Sequence, residues 1–210
     1  MKLINLFDKP KLIGLVANIN QGKSNTLYHI IEQLRAEADF RLYTFGLRMD
    51  LDFAHQIFTL DELEDIENSI IIIDEAFNLL DMDNRAKRKQ IEQTMRLLNH
   101  RNCIVVLCLL PENCKKFLAS KLDVTIFKKC TIADFINGSM TKRIVQSYSG
   151  YEKGTAVLNI PIDRALVYDG KKFANIHVDY YPQYDSKKGN SDILTPKYNN
   201  VVTNKRKGSK

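Results

Sequence analysis

This chain of 210 residues contains no apolar run approaching the roughly 18 residues needed to cross a bilayer. Its start, MKLINLFDKP, has neither the long apolar region nor the small-residue cleavage site of a signal peptide. A cytoplasmic protein without a membrane partner is the expectation. Four cysteines, Cys103, Cys108, Cys114 and Cys130, form no CxxC pair and have no histidine cluster nearby. They read as small buried hydrophobes in a reducing compartment. His29, His55, His100 and His177 are scattered without metal-ligand spacing, which argues against a zinc-type centre. No internal repeat is present. What remains is an ordinary globular composition, 44% hydrophobic and 27% charged, long enough for one α/β domain with a sizeable core.

The net charge of +6 is unevenly spread. Residues 182–210 hold seven of the 31 basic residues and two of the 25 acidic ones, leaving the rest near balance at 24 against 23. The same segment is rich in Ser, Asn, Gly and Lys without periodicity, so a disordered basic tail is expected after a domain at 1–181.

Within that domain, apolar runs alternate with helical patterns. Strands are expected at Lys11–Ala17, Arg41–Phe45, His55–Leu60, Ser69–Glu75, Cys103–Leu110 and Asp123–Phe127. Four consecutive isoleucines at 70–73 favour a strand buried on both faces. Helical spacing appears at Thr26–Leu34, Arg85–Leu98 and Glu112–Ser120, with a short acidic helix at Asp61–Asn68. Further strands at Thr155–Ile160, Arg164–Gly170 and Phe173–Tyr181, with an Asp-Gly turn signal at 169–170, point to an antiparallel extension. The pattern predicts a mostly parallel, doubly wound α/β sheet with that extension at its C-terminal end.

The chemistry-bearing stretch is ANINQGKS: Ala17, Asn18, Ile19, Asn20, Gln21, Gly22, Lys23 and Ser24, followed by Asn25. A strand, a turn of small and amide residues and a Gly-Lys-Ser helix start match a phosphate-cradling P-loop, except that Ala17 replaces the first glycine. Helix N–H groups face an anion there, Lys23 reaches between phosphates and Ser24 offers a hydroxyl to Mg²⁺. Asn20 takes the place of a middle glycine and tolerates the left-handed backbone better than most residues. The second constellation is SIIIIDE. Asp74 ends a buried strand where a carboxylate can hold the Mg²⁺ shell, and Glu75 is placed to polarise an attacking water. No Asn-Lys-x-Asp guanine-reading motif follows a late strand, so ATP is the expected nucleotide.

The order ANINQGKS, SIIIIDEA, a basic helix ending LLNHRN, CIVVLCLL with Pro111, FKK, and the hairpin AVLNIP…ALVYDGKKF resembles the HerA/FtsK superfamily of DNA-pumping ATPases. Compact genome-packaging ATPases of viruses and mobile elements are included in it. The resemblance spans roughly residues 10–181 and implies a RecA-like core, ATP and Mg²⁺, a hexameric ring and double-stranded DNA as partner. Family members usually carry a polar residue at the end of the strand after Asp-Glu, where this chain reads Cys108-Leu109-Leu110. An arginine given in trans to the transferred phosphoryl is implied as well. Arg143, in an irregular segment, is preferred over Arg96 and Arg101. Arg85, Lys87, Arg88 and Lys89 are candidates to grip DNA phosphates, together with the basic tail. Two other readings stand beside the motor: a non-motor assembly ATPase resembling the zonula-occludens-toxin-like proteins of filamentous phages, and an inactive nucleotide-binding scaffold.

Overall fold

The structure is a computed structural model that describes residues 3–37, 39–47, 51–59, 61–74, 85–114, 116–129 and 160–184, with backbone alone at 85–88 and 116–117. The chain divides into two compact units, Met1–Tyr180 and Tyr181–Lys210.

The first unit is built on one sheet. Its strands are β1 (Lys11–Val16), β2 (Arg41–Phe45), β3 (Ala54–Gln56), β4 (Ser69–Ile73), β5 (Ile104–Leu109), β6 (Val124–Phe127), β7 (Arg164–Tyr168) and β8 (Phe173–His177). They lie in the order β3-β2-β4-β5-β1-β6-β7-β8. The first six are parallel, while β7 and β8 add on antiparallel through Phe127↔Leu166 and Ala165↔Ile176. This is a mixed α/β sheet of RecA-like P-loop NTPase type with a C-terminal antiparallel extension. Three helices of four or more residues are described: α1 (Lys23–Glu37), α2 (Arg85–His100) and the short α3 (Lys116–Ala119).

The central strands β4, β5 and β6 are buried along their whole lengths, as their β-branched runs demand. Ile71, Ile73, Val105, Leu107 and Leu109 share one cluster with Ile91 and Leu98 of α2. The alternate positions Ile70, Ile72, Val106 and Cys108 point to the opposite face by the two-residue period and are equally buried. Helix α1 packs on β1, and its buried Leu27, Ile30, Ile31 and Leu34 form no part of that cluster. Both faces of the central strands are therefore covered, as expected of a parallel sheet flanked by helices.

Several elements differ from expectation at their boundaries. The short acidic helix is of 3-10 type and spans Asp61–Asp65, ending before Asn68; it buries Leu63, and Ile66 follows it into the core. Glu62 turns back to accept from the N–H groups of Phe58 and Thr59 and from the Thr59 hydroxyl, which caps the start of this turn. The expected helix Glu112–Ser120 is split into a 3-10 turn at Pro111–Asn113 and α3. β3 is three residues long, shorter than His55–Leu60. The strand expected at Thr155–Ile160 lies outside the described residues except for Ile160. In the second unit, Pro182–Tyr184 form a 3-10 turn with the Tyr181 and Tyr184 rings 6.4 Å apart, and residues 185–210 lie outside the described residues.

Candidate nucleotide site

Parallel strands bring their carboxyl ends to one edge of the sheet, and the loops there converge. Four of these ends matter. β1 runs into Ala17–Gly22, β4 into Asp74, β5 into Leu110 and β6 into Lys128. β5 stands between β1 and β4, so the phosphate-loop strand and the Asp74 strand flank it symmetrically.

The loop itself begins as an extension of the sheet. The Ala17 N–H donates to the Leu109 carbonyl at 3.1 Å, and Ala17 is fully buried. Among the described residues the positive-φ positions are Asn20, Asn68 and Asn102, with Gly22, Gly46 and Gly170. Ala17 is therefore not in the conformation that needs glycine, and its methyl group sits in the core at no backbone cost. The left-handed positions are Asn20 (φ 60°) and Gly22 (φ 81°), the residue types that adopt them with least strain. Gln21 N–H closes a turn on the Asn18 carbonyl at 3.3 Å. Thr26 then donates both its N–H and its hydroxyl to the Gly22 carbonyl, each at 2.9 Å, which winds the first turn of α1. The opening N–H groups of that helix have no intrahelical acceptor and carry the positive end of its dipole.

Lys23 is the first residue of α1, and its Nζ lies 3.0 Å from Oδ1 of Asp74 across the end of β5. Asp74 is buried, while the Lys23 side chain keeps about a fifth of its surface exposed (19%). Asp74 is placed by its backbone: its N–H donates to the Phe45 carbonyl at 2.9 Å. Its carbonyl leaves no room beside Gly46, where a Cβ would stand 2.6 Å from that oxygen. Gly46 also sits at φ 69°, so two independent constraints select glycine there.

Cys108 is the neighbour of this ion pair on β5. Its thiol hydrogen-bonds the Asp74 carboxylate, and its pKa is pushed well above the usual thiol range, first by burial and then by the Asp74 charge. Buried and held as a thiol, it is a weak polar group aimed at the reactive edge of the sheet.

Ser24 is exposed at the helix start. No group of three or more His, Cys, Asp or Glu among the described residues is arranged to hold a metal ion. Mg²⁺ at a nucleotide needs no such cage, because it keeps water and phosphate oxygens and takes one or two protein ligands. The hard oxygens of Ser24 and Asp74 suit that demand.

On the other flank of the loop, Lys128 is buried and donates from Nζ to the carbonyls of Ile162, at 2.7 Å, and Arg164, at 2.6 Å. Burial lowers its pKa to about 8, with Asp163 acting in the opposite direction. Asn25 donates to the Asp179 carbonyl at 3.2 Å, and the Asp179 N–H donates to Nδ1 of the buried His29 at 3.2 Å. His29 thus accepts as a neutral ring, and burial, ahead of the charges around it, holds its pKa below the usual histidine value.

The structure accordingly brings Ala17–Asn25, Lys23 and Asp74 together at one edge. Glu75 and Arg143 lie outside the described residues, as do the side chains of Arg85, Lys87 and Arg88; Lys89 is exposed on α2. Arg96 pairs with Glu92, and the Arg101 carbonyl accepts from the Asn68 N–H beside the starts of β4 and β5, the sheet edge opposite the phosphate loop. Cys108 stands at the strand end where a polar residue was expected, whereas Gly46 and Lys128 are not marked as site residues by the sequence. The signals were faint: a glycine following RLYTF, and a lysine pair ending a strand.

These features define the class as a P-loop NTPase fold of RecA type, with the phosphate loop and acidic strand separated by one intervening strand. No protein-family model and no curated protein sequence matches the chain. Among solved structures, it is similar to the genome packaging NTPase B204 from Sulfolobus turreted icosahedral virus 2 in complex with sulfate. The TM-score is 0.55 at 14% identity, over 82% of this chain and 98% of that one. B204 is also known in complex with ATP-gammaS and with AMPPCP. The conjugation coupling protein TcpA of pCW3, with ATPgS, gives 0.55 at 18% identity over 86% of this chain and 62% of TcpA. The cytoplasmic domain of EssC gives 0.50 at 12% identity over 80% of this chain and 38% of EssC. The structural neighbours are HerA/FtsK-type P-loop ATPases.

Proposed function

We propose that this protein is an ATP-hydrolysing motor of the DNA-packaging or DNA-translocating kind, working as a ring on double-stranded DNA in the cytoplasm. The observation that carries the reading is the Lys23–Asp74 pair at the carboxyl edge of the sheet, with β5 between their strands. Similarity in fold to B204 and TcpA supports it. No helix among the described residues is long and apolar enough to cross a membrane.

In this proposal the amides of Asn18–Asn25 and the Lys23 ammonium hold the β- and γ-phosphates. Ser24 would hold Mg²⁺ with its hydroxyl and Asp74 would hold the ion's water shell, and the metal would supply charge neutralisation at the phosphates. Glu75 orients and deprotonates the attacking water, and Arg143 of a neighbouring subunit stabilises charge on the transferred phosphoryl. The Cys108 thiol stands where a polar group contacts the same region from β5. Arg85, Lys87, Arg88 and Lys89, with the tail at 182–210, supply phosphate contacts to DNA beyond the ATPase domain of residues 1–181.

The test is the ATPase rate with and without double-stranded DNA, for wild type and Glu75→Gln, with particle mass in solution. DNA-stimulated turnover in a ring, lost in Glu75→Gln, is the expected result. A ring without stimulation leaves an assembly ATPase, and bound ATP without turnover leaves a scaffold; either outcome rejects the motor.

A further inference from the structure

The two flanks of the phosphate loop are chemically unlike. Toward β5 and β4 lie Lys23 and Asp74, suited to the terminal phosphate and its metal. A nucleotide with that end beside Asp74 directs its nucleoside the other way, toward β6 and the antiparallel strands. There the turn Pro161–Asp163 lies directly against the loop. A Cβ at Gly22 would stand 3.3 Å from Cγ1 of Ile162 and 3.6 Å from its carbonyl oxygen. Ile162 is nonetheless 66% exposed, and Tyr180 is 60% exposed one residue beyond Asp179, whose carbonyl accepts from Asn25 of α1.

Exposed apolar side chains are common and usually mobile. These two are held. Arg164 N–H donates to the Pro161 carbonyl at 3.0 Å, Val178 N–H to the Asp163 carbonyl at 2.8 Å, and Asp179 N–H to His29. Beneath the turn, the buried Lys128 ammonium spans the carbonyls on either side of Asp163. Burying a lysine merely to close a turn is costly, since a cation leaves water for two carbonyls. A cost of that kind is justified by holding a side chain where a ligand needs it.

We propose that Ile162 and Tyr180 form the apolar platform for the nucleoside of the bound nucleotide, and that Lys128 is the positioning residue that holds the Ile162 turn against Gly22. This rests on the nucleotide-site reading above and deepens it. An aliphatic face and an aromatic ring recognise a nucleobase through its π-face and ribose edge without a hydrogen-bonding code, so the platform favours nucleotides over bare polyphosphate more than one base over another.

The experiment titrates the full chain with Mg²⁺ and either ATP or inorganic tripolyphosphate. The expected result is that Ile162→Ala with Tyr180→Ala weakens ATP roughly tenfold, the scale of a base contact, and leaves tripolyphosphate within about twofold. Lys128→Met should lower the ATP-to-tripolyphosphate preference in the same direction. ATP affinity unchanged in the double variant overturns the platform. Equal loss for both ligands overturns it too, because the turn then supports the loop rather than the nucleoside. A Lys128→Met protein with the wild-type ratio removes the positioning role. Wild type that binds neither ligand sinks the nucleotide site itself, a distinct failure.

Discussion

Replacing Gly46 by alanine tests how Asp74 is held. The new Cβ meets two separate costs. The left-handed backbone at φ 69° disfavours any side chain by about 1–2 kcal/mol. The Asp74 carbonyl, 2.6 Å from the Cβ position, must also retreat, and it is backbone, with the Asp74 N–H bonded to Phe45. Overpacking of this sort adds about 1–3 kcal/mol. Gly170 provides the internal control. It has a similar φ of 85°, but its nearest neighbour to a Cβ is 3.9 Å away, so Gly170→Ala incurs the backbone cost alone. The gain from restricting the unfolded chain is shared by the two variants and cancels. Thermal unfolding should therefore place Gly46→Ala below Gly170→Ala by about 1–3 kcal/mol, or roughly 2–12 °C for a chain of this length. The Mg²⁺-dependent part of ATP affinity should fall in Gly46→Ala and not in Gly170→Ala. Equal melting losses would refute the reasoning, since the carbonyl would then yield freely.

Other expectations follow from the same geometry. A double-mutant cycle on Lys23→Met and Asp74→Asn, read by urea unfolding, should give a coupling of about 0.5–3 kcal/mol, and additivity would mean that the pair is not formed in solution. Asn20→Gly should be near neutral by melting while Asn20→Val costs about 1–2 kcal/mol, because φ is 60° there. His29 has a depressed pKa in the fold, so the unfolded chain takes up its proton first and stability falls as pH drops below about 6.5. His29→Asn should flatten that decline between pH 7 and 5. Lys128 is depressed to about 8, so between pH 8 and 10.5 the unfolded chain binds more protons. The melting difference between wild type and Lys128→Met should therefore shift in favour of wild type as pH rises through that window.

The parallel core was legible because its signals are local and strong. Four isoleucines before Asp-Glu admit little but a two-faced strand, and Gly-Lys-Ser after Leu12–Val16 fixes where α1 begins. Ala17 looked like a defect in the motif. The fold resolves it, since the residue continues the β1–β5 ladder and the turn's left-handed positions fall at Asn20 and Gly22 instead. What stayed hidden depends on distance in sequence. Nothing in RLYTFGL says that Gly46 will press on the Asp74 carbonyl, and nothing in FKK says which lysine turns inward. Cys108 was legible as a buried residue yet not as the hydrogen-bonding neighbour of Asp74, because strand periodicity reports burial and not what lies at the strand's end. The acidic segment 61–68 was legible as a short helix that buries Leu63 and Ile66, while its 3-10 form and its end at Asp65 were not.

The Lys128 clasp has an evolutionary consequence. Its two hydrogen bonds reach 34 and 36 residues ahead in the chain, tying the end of β6 to the start of β7 beside the phosphate loop. The intervening sequence is thereby relieved of any duty to bring those ends together. Closing a longer excursion costs little more than closing a short one, so a change in its length need not disturb the loop's flank. A single buried lysine thus lets the flank of the phosphate loop be set by a local bond, whatever length of chain is closed between its two ends.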